Sequence, residues 1–168
     1  MSDLSGVLVV DKPSGWTSHD VVNKTRNMLG GVKVGHTGTL DPMATGVLVL
    51  LIGSATKAAK YFSEDWKRYE AVVSFGRSTG TWDAEGETVE TGSAELVNSG
   101  KLIAAIESLD GITEQVPPMY SARKVRGKRL YKLARQGKTI ERAPVNVHIS
   151  DIDYDMSGFP PDVRIVLS

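Results

Sequence analysis

A chain of 168 residues, 40% hydrophobic and 24% charged, is long and apolar enough to bury a core and excludes a disordered segment. It contains no cysteine, so disulfides and thiolate metal sites are excluded, in keeping with a cytoplasmic address. Net charge is zero, yet residues 123–142 hold nine Lys or Arg against one acid, Glu141, which leaves +8 there and −8 elsewhere. A concentrated basic segment on a neutral protein points to one polyanion-facing surface, with a solvated helix and loop as the plainer reading. The longest apolar run, residues 47–52, is too short to span a bilayer, and no Lys or Arg precedes the apolar residues 6–10 as a signal peptide would require. The three histidines, His19, His36 and His148, have no metal-ligand spacing, and no metal site is expected.

In chain order, residues 6–10 read as a short buried strand ended by the turn Asp11-Lys12-Pro13-Ser14-Gly15. Ser18 is the expected cap of a helix with Val21, Val22, Thr25, Met28 and Leu29 on one face, stopped by Gly30 and Gly31. Residues 33–45 are Gly-rich and aperiodic, hence a loop. Residues 47–52 do not alternate and predict a strand buried on both faces. A helix is expected over 54–62, a strand over 69–75 and a turn-rich stretch over 76–86. A further helix within 94–109, with Gly100 as its candidate break, presents Leu102, Ile103, Ile106 and Leu109. Pro117 and Pro118 keep 115–120 extended, 129–136 reads as a short basic helix, and 144–154 and 163–167 read as strands. Strands and helices mix without strict βαβ alternation. The expected fold class is therefore α+β, with a mixed, largely antiparallel central sheet flanked by helices, in a single domain over 1–168.

The chemistry concentrates in Gly35-His36-Thr37-Gly38-Thr39-Leu40-Asp41-Pro42-Met43-Ala44-Thr45-Gly46. This long loop delivers one carboxylate just before a strand. Pro42 pushes Asp41 to extended geometry, and the glycines let another backbone approach closely. An Asp capping a turn is the alternative for these residues taken alone. The loop lacks the Gly-Lys-Ser/Thr ending of a phosphate-binding P-loop and the dinucleotide fingerprint.

The string from Gly35 to Leu48 closely resembles the signature around the catalytic aspartate of TruB-type tRNA pseudouridine synthases. The resemblance continues through Lys12-Pro13-Ser14-Gly15-Trp16-Thr17-Ser18, Lys67-Arg68-Tyr69 with Phe75-Gly76, and Asp83-Ala84-Glu85-Gly86. It resumes at Gln115-Val116-Pro117-Pro118-Met119-Tyr120-Ser121-Ala122 and Leu133-Ala134-Arg135-Gln136-Gly137. It implies isomerisation of the T-loop uridine (position 55) of tRNA to pseudouridine, with no cofactor and no metal. tRNA, through its T-arm, is the implied partner; neither a membrane nor an obligate protein partner is implied.

By the same resemblance Asp41 is the catalytic residue, Tyr69 stacks on the extruded base and His36 fills the site that base leaves. Lys12, Lys57, Arg68, Arg123 and Lys124 are expected to contact RNA. Pro13, Gly38, Thr39, Leu40 and Asp83 are expected to support the active-site loop; Lys12 shares that role with Pro13, and Asp83 would organise its own turn. From the residues alone, Tyr69 can equally be a core tyrosine and Lys57 part of a solvated helix face, while His19 and His148 read as structural. Asp41 needs no second base, because an ordinary aspartate is ionised at neutral pH. Attack at C1′, attack at C6 and proton removal at C2′ all lie within its chemistry.

Two departures stand out. Gly80 and Trp82 occupy positions where the family often has Asp and a small residue. Family members also continue past the position of Ser168 into a Ser/Gly-Thr-Tyr-x-Arg motif, whose arginine is expected to pair with the catalytic carboxylate. A small C-terminal RNA-binding domain usually follows. The chain therefore reads as the N-terminal part of the catalytic domain, without that RNA-binding domain. The apolar strand at 163–167 is expected to be left with an unpaired edge. A noncatalytic RNA-binding module of the same fold is the rival reading, and retention of Asp41 speaks against it. A glycosidase generally needs two opposed carboxylates, and only Asp41 lies on a site-like loop.

Overall fold

Val- and Leu-rich runs, suited to a pleated and half-buried surface, form the two longest strands. The computed structural model describes residues 4–62, 66–121, 124–125, 127–134 and 136–168. The chain forms two compact units, Met1–Trp66 and Lys67–Ser168, with no linker-like composition at the division.

In the first unit, β1 (Gly6–Lys12) runs antiparallel to β3 (Gly46–Ile52), in register from Gly6↔Ile52 to Lys12↔Gly46. The short β2 (Val34–His36) takes the other edge of β3, with His36 opposite Leu50. Side chains alternate across a strand, so Leu48, Leu50 and Ile52 share one face. They form one buried cluster with Val34 and with Val21 and Val22 of α1 (Ser18–Met28), and Leu40 packs against its margin. A nine-residue 3₁₀ helix, Gly53–Tyr61, follows β3. Burial of β3 on both faces holds only in part: Leu51 is buried but Val47 is exposed. Met28, assigned to the apolar helix face, is exposed as well. The region expected to be all loop contains β2, whose three residues are too few to show a period.

In the second unit, β12 (Asp162–Leu167) lies between β11 (Asp153–Asp155) and β4 (Tyr69–Ser74), antiparallel to both. The expected unpaired edge is thus absent from β12, whose Val163 and Val166 are buried. Exposure falls on β4 instead, all six residues of which are exposed. The turn-rich stretch after it is a hairpin of β5 (Arg77–Thr79) and β6 (Thr88–Thr91). The helix α2 (Ser99–Glu107) starts at the Asn98 cap, so the break precedes Gly100 instead of falling on it. A strand missed in the sequence, β7 (Gly111–Gln115), pairs with β10 (Val145–Ile149). The single strand expected over 144–154 is divided, because Asp151 turns at φ 52 between β10 and β11. Two-residue strands β8 (Lys124–Val125) and β9 (Lys128–Arg129) lead into the short helix α3 (Leu130–Ala134), whose Leu130 is buried. Every strand pair among the described residues is antiparallel, and with the helices this is an α+β architecture. No helix among them is long and apolar enough to cross a membrane.

Candidate active site

Asp41 is exposed on loop 37–45, between β2 and β3. The loop's flanks are fastened to the segment that joins β1 to α1. The Lys12 ammonium is fully buried (0% exposed) and donates to Pro13 O at 2.9 Å, Trp16 O at 2.6 Å and Pro42 O at 3.2 Å. Pro42 O also accepts from Gly15 N–H at 2.8 Å. On the other flank, the buried Ser18 hydroxyl accepts from Leu40 N–H at 2.9 Å and donates to Leu40 O at 3.3 Å. Ser14 Oγ donates to Met43 O at 3.2 Å, and Gly46 N–H donates to Asp11 Oδ1 at 3.1 Å. Gly46 enters β3 at φ 107, a conformation strained for any residue with a Cβ.

Asp41 is therefore held between two anchored neighbours, Leu40 and Pro42, while its own side chain faces solvent. A carboxylate on a loop fixed in this way can meet a reacting atom without first ordering the backbone. Such bonds contribute about 1 kcal/mol each, and those to a charged group about 1.5–3 kcal/mol.

Ser18 is not the helix cap. Thr17 is, in a reciprocal box: Thr17 Oγ1 accepts from Asp20 N–H at 3.1 Å, and Thr17 N–H donates to Asp20 Oδ2 at 2.8 Å. This capping frees the Ser18 hydroxyl to clasp Leu40. The Thr17-x-x-Asp20 spacing carried that signal in the sequence; the clasp itself spans 22 positions and had none.

In the first unit the structure brings together Lys12, Pro13, Gly38, Thr39, Leu40 and Asp41 on two fastened segments, with His36 at the end of β2 where the loop begins. Lys12 was expected both to contact RNA and to support the loop. An ammonium has three donors, and all three are spent on carbonyls, so none is left for a phosphate. Lys57 is exposed on the 3₁₀ helix.

In the second unit, Arg68 is exposed immediately before β4, and Tyr69, its first residue, is 47% exposed, so it is not a core tyrosine. Asp83 organises its own turn: Oδ1 accepts from Thr81 Oγ1 at 2.6 Å and from Glu85 and Gly86 N–H at 3.0 Å each. Gly86 is required there, because a Cβ would fall on Thr81 Oγ1. The backbone of Lys124 lies in β8. Arg123 lies outside the described residues, as do Ala122, Arg126 and Arg135.

Residues 26–165, a span that takes in loop 37–45 and most of both units, match the family described as TruB family pseudouridylate synthase (N terminal domain). The chain is 48% identical over 156 residues to tRNA pseudouridine synthase B of Thermobifida fusca (strain YX), covering 92% of this chain and 52% of that protein. It is 50% identical over 151 residues to tRNA pseudouridine synthase B of Arthrobacter sp. (strain FB24), covering 89% and 49%. It thus spans about half the length of these curated relatives. A chain from a crystal structure of a Cbf5–Nop10–Gar1 complex superposes with a TM-score of 0.65 at 26% identity, over 96% of this chain and 38% of that one. The chain belongs to the TruB family of pseudouridylate synthases and corresponds to its N-terminal domain.

Proposed function

We propose that the protein carrying this chain converts uridine to pseudouridine in the T-loop (position 55) of tRNA, in the cytoplasm and without cofactor or metal. Asp41 is the nucleophile or base acting on a flipped-out nucleotide. The observation that carries this reading is the exposed Asp41 between two anchored neighbours, in a chain of this family. The reaction breaks the C–N glycosidic bond, turns the uracil and joins its C5 to the same sugar carbon. A carboxylate held at C1′, C2′ or C6 meets that requirement.

Extruding the uridine costs roughly a few kcal/mol, and stacking on an aromatic ring recovers about 1–3 kcal/mol. The exposed ring of Tyr69 is suited to that stacking, and His36, at the root of the loop, to the place the base vacates. Lys57, Arg68, Arg123 and Lys124 supply charge for phosphates, which position the T-arm without reading its sequence. Lys12, Pro13, Gly38, Thr39 and Leu40 shape and hold the loop. Asp83 holds the turn between β5 and β6.

Asp41→Asn in the full-length protein should abolish pseudouridine in a tRNA transcript, read by pseudouridine-specific chemical labelling. Affinity for the transcript should stay within about tenfold, since phosphates supply most of it. Residual activity within tenfold of wild type would remove Asp41 from the chemistry.

A further inference from the structure

The second unit contains a cavity of about 340 Å³ whose wall includes Trp82, Met119, Tyr120, Lys138, Thr139 and Arg142. Its size falls in the range of small-ligand sites. No carboxylate lines it among the described residues, so it offers binding and no glycosidic chemistry.

Trp82 is 79% exposed and held at φ 63, a left-handed conformation that is unusual for a bulky side chain. The strain is enforced by the turn around it. Trp82 N–H donates to Thr79 O at 3.2 Å, Thr79 Oγ1 to Asp83 O at 2.7 Å, and Gly80 N–H to Glu87 O at 3.1 Å. The Asp83 carboxylate closes the far side of the same turn. A large ring presented to solvent by a rigid, strained turn is preorganised for contact, and strain of this kind clusters at binding sites.

The same lining is also cationic, through Lys138 and Arg142. Arg142 donates from one terminal nitrogen to Ile140 O at 3.2 Å, while its Nε has no hydrogen-bond partner among the described residues. Neither Arg142 nor Lys138 forms an ion pair among them. A flat ring and unneutralised cations lining one cavity match a base joined to its phosphate. Lys138 and Arg142 also close the segment 123–142 that carries +8, so basic charge continues along the chain on the N-terminal side of these two residues. That favours one unit of a strand over a free mononucleotide.

We propose that this cavity binds one non-reacting nucleotide of the RNA, with its base stacked on Trp82 and its phosphate facing Arg142 and Lys138. The assignment rests on the RNA-modifying reading above, and the test separates the two. In the full-length protein, Trp82→Ala should weaken binding of an unmodified tRNA transcript by roughly fivefold to a hundredfold, the range expected for loss of one base–aromatic stack. Trp82→Phe should restore affinity to within about threefold, which a merely structural tryptophan would not predict. RNA should quench indole fluorescence in wild type more than in Trp82→Ala, and free UMP should not compete for the site at concentrations comparable with the transcript.

Equal affinity of wild type and Trp82→Ala would overturn the proposal, as would Trp82→Phe behaving like Trp82→Ala. Competition by UMP at transcript-like concentrations would overturn the strand assignment. A wild-type protein that binds RNA through Trp82 yet makes no pseudouridine would leave this site standing and reject the catalytic reading.

Discussion

Lys12 shows how one side chain can serve a site it never touches. A buried ammonium is costly unless its donors are matched, and here each of the three has a carbonyl acceptor. One acceptor, Pro42 O, belongs to the residue after Asp41, so the charge at the end of β1 fixes the backbone beside the Asp41 carboxylate proposed to react. Lys12→Met keeps the volume but leaves those carbonyls without their charged donor, at about 1–3 kcal/mol for each buried group left unsatisfied. The variant should unfold several degrees below wild type and lose at least tenfold in single-turnover rate, since a small displacement of a catalytic group is expensive. Thermal melts and rapid-quench assays check both. Wild-type values for the two together would mean that the loop holds its shape without the ammonium.

The elements were legible where apolar periodicity is local. β1, β3 and α1 announce themselves through Val and Leu spacing, and their shared face forms the buried cluster. β2, β5 and β7 have three, three and five residues, too few to show a clear period, and β7 pairs with the distant β10 instead of its neighbour in sequence. The candidate site divides in the same way. Asp41 was found because an unusual string surrounds it, whereas the clasps from Ser14, Ser18 and Asp11 reach across 22 to 35 positions and appear only on folding.

Helix α1 links the two levels, since its capping box sits one residue before the Ser18 clasp. Thr17→Ala removes a cap and should cost about 1 kcal/mol in chemical denaturation. An unchanged midpoint would show that α1 is held by packing alone.

Asp20 gives the cap a pH signature. Hydrogen bonds from Thr17, the side chain first, hold its carboxyl below the ordinary value. A depressed carboxyl stabilises the fold above its unfolded-state value, near 3.9, and that contribution is lost as pH falls through the lower folded value. The stability advantage of wild type over Asp20→Asn should therefore be full at neutral pH and shrink below about pH 4. An advantage that persisted at pH 2 would assign it to something other than the ionised box.

Charge is distributed over the protein as unevenly as structure is. Residues 123–142 carry +8 and the remainder −8, so a net charge of zero conceals a concentrated basic segment. For a polyanion, the basic segment attracts while the acidic remainder repels. Binding that neutralises phosphates releases counterions, and the logarithm of affinity then falls linearly with the logarithm of salt concentration, by somewhat under one unit of slope per contact. Arg68 lies outside this segment, exposed immediately before β4, and the proposed function gives it a phosphate contact of its own. Lys124→Gln and Arg68→Gln should each lower the slope by roughly one and weaken binding alike for tRNA transcripts of different sequence. The double variant should lower it by roughly two, because separated phosphate contacts add. Filter binding of the full-length protein over a range of salt concentrations measures this directly. Slopes that stay at the wild-type value in all three variants would remove both cations from the phosphate contacts and leave the rest of the basic segment to supply the attraction.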